Sequence, residues 1–333
     1  MTGPHKRPTL TDVAQQVGVT KMTVSRYLRS PTQVATQTGQ RIQEVIDALG
    51  YVPSRAPDIL SNAKSHAIGV LLPSLTNQVF AQVLRGLEAV TEVSGYQTML
   101  AHYGYDPQIE EKRIESLLSY NIDGLLLSDR VHTPRVERII QSAGIPVIEM
   151  MDIDNPGNYP VVGFNNQQAA YMMVMQMIAR GHQHIIYLGA RLDTRTQLKQ
   201  QGYNQAMSES GLSGCSILTE QSSSFSLGRQ LLQQILEQYP DCDGIFCTND
   251  DLAVGVILEC QRQQIAIPSQ LAVAGFHGLD IGQVMTPKLA SVVTPREAIG
   301  REAARQLLAQ LEQGIAAQSV LDLGYQIDLG QSV

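Results

Sequence analysis

A chain of 333 residues, 43% of them hydrophobic, is long enough for two or three domains with sizeable cores. Its four cysteines form no CxxC pair, which argues against a disulfide framework or a cysteine metal site and for a reducing cytoplasm. The net charge is -7, the pI is near 5.5, no apolar run is long enough to cross a bilayer, and MTGPHKRPTLTDV has no apolar signal segment, so neither a membrane protein nor an exported one is expected.

The charge is uneven. Residues 1–64 hold eight cations (Lys6, Arg7, Lys21, Arg26, Arg29, Arg41, Arg55, Lys64) against four acids (Asp12, Glu44, Asp47, Asp58), a net of +4 that leaves -11 for the rest. A basic head on an acidic body suggests that only the head meets a polyanion.

Three short helices are predicted from the head's apolar spacing. Leu10, Val13, Ala14 and Val17 lie at i, i+3, i+4, i+7. Thr9 and Asp12 form a capping-box pattern, and Gly18 ends the helix in a tight turn. Thr20 can cap a second helix with Val24, Tyr27 and Leu28 on its apolar face. Ile42, Val45, Ile46 and Leu49 define a third, closed by Gly50; Gly39 stands where a helix former is expected and leaves its start open. Two short helices joined by a glycine turn and braced by a third make a helix-turn-helix plan. Lys21 and Met22 precede the inward Val24 and are free to point outward. In such a motif the N-terminal residues of the second helix reach base edges. Arg26 suits guanine O6 and N7, and Met22 a thymine methyl. Thr23 and Ser25 suit phosphate oxygens.

From residue 66 apolar runs alternate with helical stretches: AIGVLL (67–72), YQTMLAHY (96–103), GLLL (124–127), PVIEMM (146–151), IIYLGA (185–190), GIFCT (244–248) and LAVAGF (271–276). Near-continuous apolar runs between helices predict parallel strands buried on both faces, hence a doubly wound α/β body of two lobes. Ligands of such sheets bind beyond the carboxyl ends of the strands. Those ends carry Ser74–Asn77, Ser128–Arg130, Phe164–Asn166, Asn249–Asp251 and His277. Loop ends are often polar in any case. In LGARLDTRTQLKQQGY, Arg195 and Lys199 are four apart and share one helix face. His182 and His184 precede a strand and are expected to cap or pack there. No GxGxxG, P-loop, HExxH or GxSxG is present, so no catalytic residue, metal or cofactor is expected.

TLTDVAQQVGVTKMTVSRYLR resembles the DNA-binding headpiece of the LacI/GalR family of bacterial regulators, and LGYVPSRAPDILSNAKSHAIGVLLP resembles that family's hinge and entry strand. The resemblance covers essentially the whole chain. It implies an N-terminal three-helix helix-turn-helix headpiece (1–52), a hinge helix (53–65), and an α/β two-lobed, periplasmic-binding-protein-like (type I) effector domain (66–333). The N-lobe is expected at about 66–162 and 293–320, and the C-lobe at about 163–292 and 321–333. Leu60 takes the place of the family's minor-groove wedge. Pro57 departs from the pattern and places the start of the hinge helix near Ala56 or Pro57.

The resemblance further implies an effector held by Ser74, Phe164, Arg195, Lys199, Asn249 and His277. CTNDDLAVG matches a family loop whose asparagine holds the effector, here Asn249, while Asp250 organises the loop. Lys199 replaces a usual arginine, and His277 replaces an aspartate found in many sugar-binding members. Loss of that carboxylate, with Arg195 added beside Lys199, makes the pocket more cationic, and a sugar acid is the simple candidate. RAPDILSNA, LLPSLTNQVFA, YQTMLAHYGY and GFHGLDIGQVM carry the resemblance to members induced by gluconate, with idonate the nearest competitor. A homodimer on palindromic operator DNA is expected, and no heptad tail suggests a tetramer. A free solute-binding protein would need an export signal and would have no use for residues 1–60.

Overall fold

The computed structural model describes residues 7–54, 64–154 and 157–333 and divides into two compact units, Met1–Ser65 and His66–Val333. The first contains α1 (Leu10–Val17), α2 (Lys21–Arg29), a 3-10 turn (Pro31–Gln33) and α3 (Thr36–Leu49). The capping box forms: the Asp12 carboxylate accepts from Thr9 N at 2.7 Å, and Thr9 Oγ1 accepts from Asp12 N at 3.4 Å. Gly18 turns the chain at φ 80°, and Thr20 Oγ1 accepts from Thr23 N to start α2. Val13, Ala14, Val17, Val24 and Ile42 make the small core. The start of α3, left open by Gly39, lies at Thr36. Gly39 is buried inside that helix because a Cβ there would lie 2.9 Å from the Tyr27 ring. Close packing of Tyr27 thus outweighs glycine's weak helix propensity.

The second unit holds two six-stranded sheets. Sheet one takes β1 (Ala67–Leu72), β2 (Gln97–His102), β3 (Gly124–Leu127), β4 (Val147–Asp152), β5 (Val161–Phe164) and β11 (Val320–Asp322), in the order β11-β5-β4-β3-β1-β2 and all parallel. Sheet two takes β6 (Ile185–Ala190), β7 (Cys215–Thr219), β8 (Gly244–Cys247), β9 (Ala272–His277), β10 (Ala290–Val293) and β12 (Gln326–Asp328). Its order is β12-β10-β9-β8-β6-β7, with only β12 antiparallel. The central strands are buried along their length, which is why they read as continuous apolar runs. The edge strand β2 is only partly covered and mixes polar with apolar residues. The chain passes between sheets after Phe164, between Val293 and Arg296, and between Asp322 and Gln326.

Helices α4 (Gln78–Thr91), α5 (Pro107–Ser119), α6 (Pro134–Ala143), α7 (Asn166–Ala179), α8 (Thr194–Glu209), α9 (Phe225–Gln238), α10 (Asp250–Arg262), α11 (Asp280–Val284) and α12 (Arg296–Gln313) cover the sheets. Three helix pairs touch backbone to backbone at glycines. A Cβ on Gly86 would strike Glu297 O, and one on Gly300 would strike Val83 O, where α4 meets α12. Gly228 and Gly255 do the same for α9 and α10, and Gly202 seats α8 on α7. Gly300→Ala is therefore expected to destabilise the unit by roughly 1–3 kcal/mol despite alanine's better helix propensity. Thermal unfolding of the variant should start several degrees lower, at about 2–4 °C per kcal/mol.

Candidate functional site

In the first unit α2 presents a polar, exposed face. Lys21, Met22 and Arg26 are exposed, and the fully buried Val24 fixes the rotation that turns them outward. Met22 is 71% exposed, an unusual position for a large apolar side chain unless it has something to cover it. Thr23 and Ser25 are half-buried on the flank, and Thr23 Oγ1 sits 2.9 Å from Thr20 Oγ1 within the cap. Leu60, Ala56 and Pro57 lie outside the described residues.

In the second unit the carboxyl ends of strands from both sheets surround two neighbouring cavities. The inner one, about 20 Å³, has room for about one water molecule. Arg195, Lys199, Asn249 and His277 all line it. Arg195 comes from the first turn of α8 and is only 7% exposed. Its Nη1 donates to Ser128 O, at the end of β3 in the other lobe, at 2.6 Å, and its Nη2 lies 3.9 Å from Asp193. Lys199, one turn further on, is 2% exposed. Its Nζ donates to Thr248 O at 3.0 Å, lies 3.3 Å from His277 Nε2 and stands 4.0 Å from the centre of the Phe276 ring.

Burial, reinforced by Arg195 and Arg191 and opposed by Asp193, brings the Lys199 pKa down to about 7. Burial and then the charges of Lys199, Arg296 and Arg195 push His277 well below its ordinary value, so its ring is neutral. His277 also sits at φ 106°, a strained position for a non-glycine residue. Asn249 begins α10, but its side chain makes no capping bond and faces the cavity. The neighbouring Asp250 is the organiser: its carboxylate accepts from Ser291 Oγ at 2.6 Å and Leu279 N at 2.5 Å.

The outer cavity, about 230 Å³, is lined by Ser74, Thr76, Asn77, Ser222, Ser223 and Ser224, among others. Ser74 stands at this outer site, not the inner one. Its Oγ accepts from Thr76 N and Asn77 N, each at 3.2 Å, bracing the turn before α4. Phe164 lines neither cavity; it is fully buried with its ring 6.2 Å from that of Phe276.

The family model for bacterial regulatory proteins of the lacI family matches residues 9–54. The model for periplasmic binding proteins and the sugar binding domain of the LacI family matches residues 65–322. The chain belongs to the LacI family. It is 58% identical to the HTH-type transcriptional regulator GntR of Escherichia coli K12, over 98% of this chain and 99% of that one. It is 47% identical to IdnR, an HTH-type transcriptional regulator of the same strain, over 99% of each. A solved LacI-family transcriptional regulator from Silicibacter pomeroyi superposes with a TM-score of 0.92 at 31% identity, over 98% of this chain and 99% of that one. This LacI-family chain is thus a DNA-binding transcriptional regulator, as its relatives are, and not an enzyme. No helix among the described residues is long and apolar enough to cross a membrane.

Three cleft residues of this LacI-family regulator escape a search of strand ends for motifs. Arg191 directly succeeds IIYLGA and donates to Tyr105 OH of the other lobe at 3.1 Å; inspecting the first residue after every strand would have found it. Arg296, at the start of α12, donates to His277 O and, at 3.3 Å, to Gly278 O across the lobes. Met151 lines the inner cavity at φ 84°. Met151 closes the PVIEMM run, so reading the last residue of each run would have found it, whereas no sequence signal marks Arg296, which reaches the cleft only through the packing of the two sheets.

Proposed function

We propose that this regulator represses genes for the uptake and catabolism of gluconate, and that gluconate bound in the cleft releases it from its operator. The observation that carries this is the pair of buried basic side chains, Arg195 and Lys199, lining one cavity in which, among the described residues, Lys199 has no carboxylate within ion-pair distance. A buried basic group is charged at low cost only beside an anion, so the site is built for one. The hydroxyl-rich outer cavity adjoins it through shared Asn77, Tyr105 and Arg191, which suits a polyol tail. An acid head with a hydroxylated tail is a sugar acid. The likeness to IdnR keeps a second reading, induction by another sugar acid such as idonate.

On DNA, a homodimer sets two α2 helices in the half-sites of a palindrome. Lys21, Met22 and Arg26 read base edges, Thr23 and Ser25 hold phosphates, and Leu60 wedges into the minor groove at the centre. Linkage requires gluconate to bind the DNA-free form more tightly by the same factor by which it weakens operator binding.

The test is a mobility shift on a palindromic operator selected from random DNA, with gluconate, idonate or glucose added. Release by gluconate at the lowest concentration supports the proposal; release by idonate alone transfers it to the second reading; no shift at moderate salt overturns it. In the same assay Arg26→Ala is expected to lose roughly 1–3 kcal/mol of affinity and to relax base preference at one position of each half-site.

A further inference from the structure

A lysine amine has three N–H donors when charged and two when neutral. The fold supplies Lys199 Nζ with two acceptors, Thr248 O at 3.0 Å and His277 Nε2 at 3.3 Å. His277 Nε2 is able to accept because the ring is neutral and its Nδ1 faces Thr294 Oγ1 at 3.3 Å. Among the described residues the remaining direction has the Phe276 ring face, which favours a cation but is a weaker partner than water or a carboxylate. Two acceptors match the two donors of a neutral amine.

The charged groups around it do not supply the missing counter-ion. On its own helix and the turn before it stand Arg195 and Asp193, and Asp193 is 3.9 Å from Arg195 Nη2. Arg191 lies on the loop after β6 and Arg296 on α12, both cationic. Asp250 on α10 is committed to Ser291 Oγ and Leu279 N. Cations therefore outnumber the free acids around Nζ.

We propose that the pocket selects a carboxylate by proton capture: Lys199 takes a proton from solvent as the anion enters, and the ion pair exists only in the complex. This rests on the sugar-acid reading of the effector. The ligand keeps its carboxylate form, the Nζ lone pair accepts the proton, and anion plus proton leave the pocket's net charge unchanged. A neutral polyol of the same length brings no negative potential and leaves the amine neutral. The site thus discriminates by charge, while the hydroxyls decide fit.

Calorimetry of the full chain with gluconate at pH 8, in phosphate and in Tris, measures the protons exchanged through the buffers' different ionisation heats. The expected result is uptake approaching one proton per site and an affinity that falls by up to about tenfold per pH unit between pH 7.5 and 9. Glucitol, the neutral probe, should exchange none. Lys199→Arg, whose charge is fixed, should take up no proton and flatten the pH profile. Binding by the parent chain without proton uptake, or an equal pH profile in Lys199→Arg, overturns the proposal. Failure of gluconate to bind the parent chain would refute the effector reading instead. The lysine itself is then tested in the free protein by carbon-13 labelling, which is tractable because the chain has only six lysines. One signal titrating near pH 7 supports the proposal; all six titrating above pH 10 overturns it.

Discussion

Lys199→Ala is expected to leave operator binding intact and to raise the gluconate concentration needed for half-release by roughly 30- to 3,000-fold. That range corresponds to the loss of about 2–4.7 kcal/mol, within the cost of truncating one member of a buried, hydrogen-bonded charge pair. The side chain is 2% exposed, so bulk water does not replace it. Its removal also strips a donor from Thr248 O and His277 Nε2. Lys199→Met, which keeps most of the volume, separates the missing charge from a missing filler. A mobility shift titrated with gluconate reads both. A normal response in either variant would remove Lys199 from the effector site.

Glu149→Ala is expected to destabilise the second unit by about 3–5 kcal/mol, the loss typical when one partner of a buried ion pair disappears. Glu149, fully buried on β4, accepts from Arg130 Nε at 2.9 Å and lies 3.5 Å from His132 Nε2. His132 Nδ1 is 3.0 Å from Glu110 on α5. Without Glu149, two cationic groups are left in the protein with one carboxylate. Denaturant unfolding of the variant beside the parent chain measures the loss, and a change below about 1 kcal/mol would show that the cluster relaxes into water.

The same cluster sets a pH dependence. Burial alone would lower His132, but its hydrogen bond to the Glu110 carboxylate and the nearby carboxylate of Glu149 outweigh it and lift its pKa from 6.5 to about 10. A folded value above the unfolded one means stability that is full below about pH 6.5 and is lost as pH rises through about 10. The gap in melting temperature between the parent chain and His132→Gln should therefore narrow from pH 7 to pH 10.

Much of the head was legible because its signals are local. The capping box of Thr9 and Asp12, the glycine turn at Gly18 and the Thr20 cap each involve residues within a few positions of one another. Gly39 was not legible, since its reason is the Tyr27 ring across the head. In the body, AIGVLL, GLLL and IIYLGA announced central strands by burial on both faces. The short strands Val320–Asp322 and Gln326–Asp328 did not, because edge strands carry too little apolar patterning.

The cleft divides along the same line. The order of residues alone specified the helix-turn-helix head, the α/β body and the facing of Arg195 and Lys199 on one helix, because periodicity and i, i+4 spacing are properties of a local backbone. Folding in three dimensions was needed to bury both basic side chains, to bring Arg195 to Ser128 O in the other lobe, to stack Phe164 on Phe276 and to join Arg296 to His277 O. Those contacts join residues from 19 to 112 positions apart, as Arg296 with His277 and Phe164 with Phe276 illustrate. No local pattern encodes such a distance; the packing of two sheets around a shared cleft does, and the electrostatics of Lys199 arise from it.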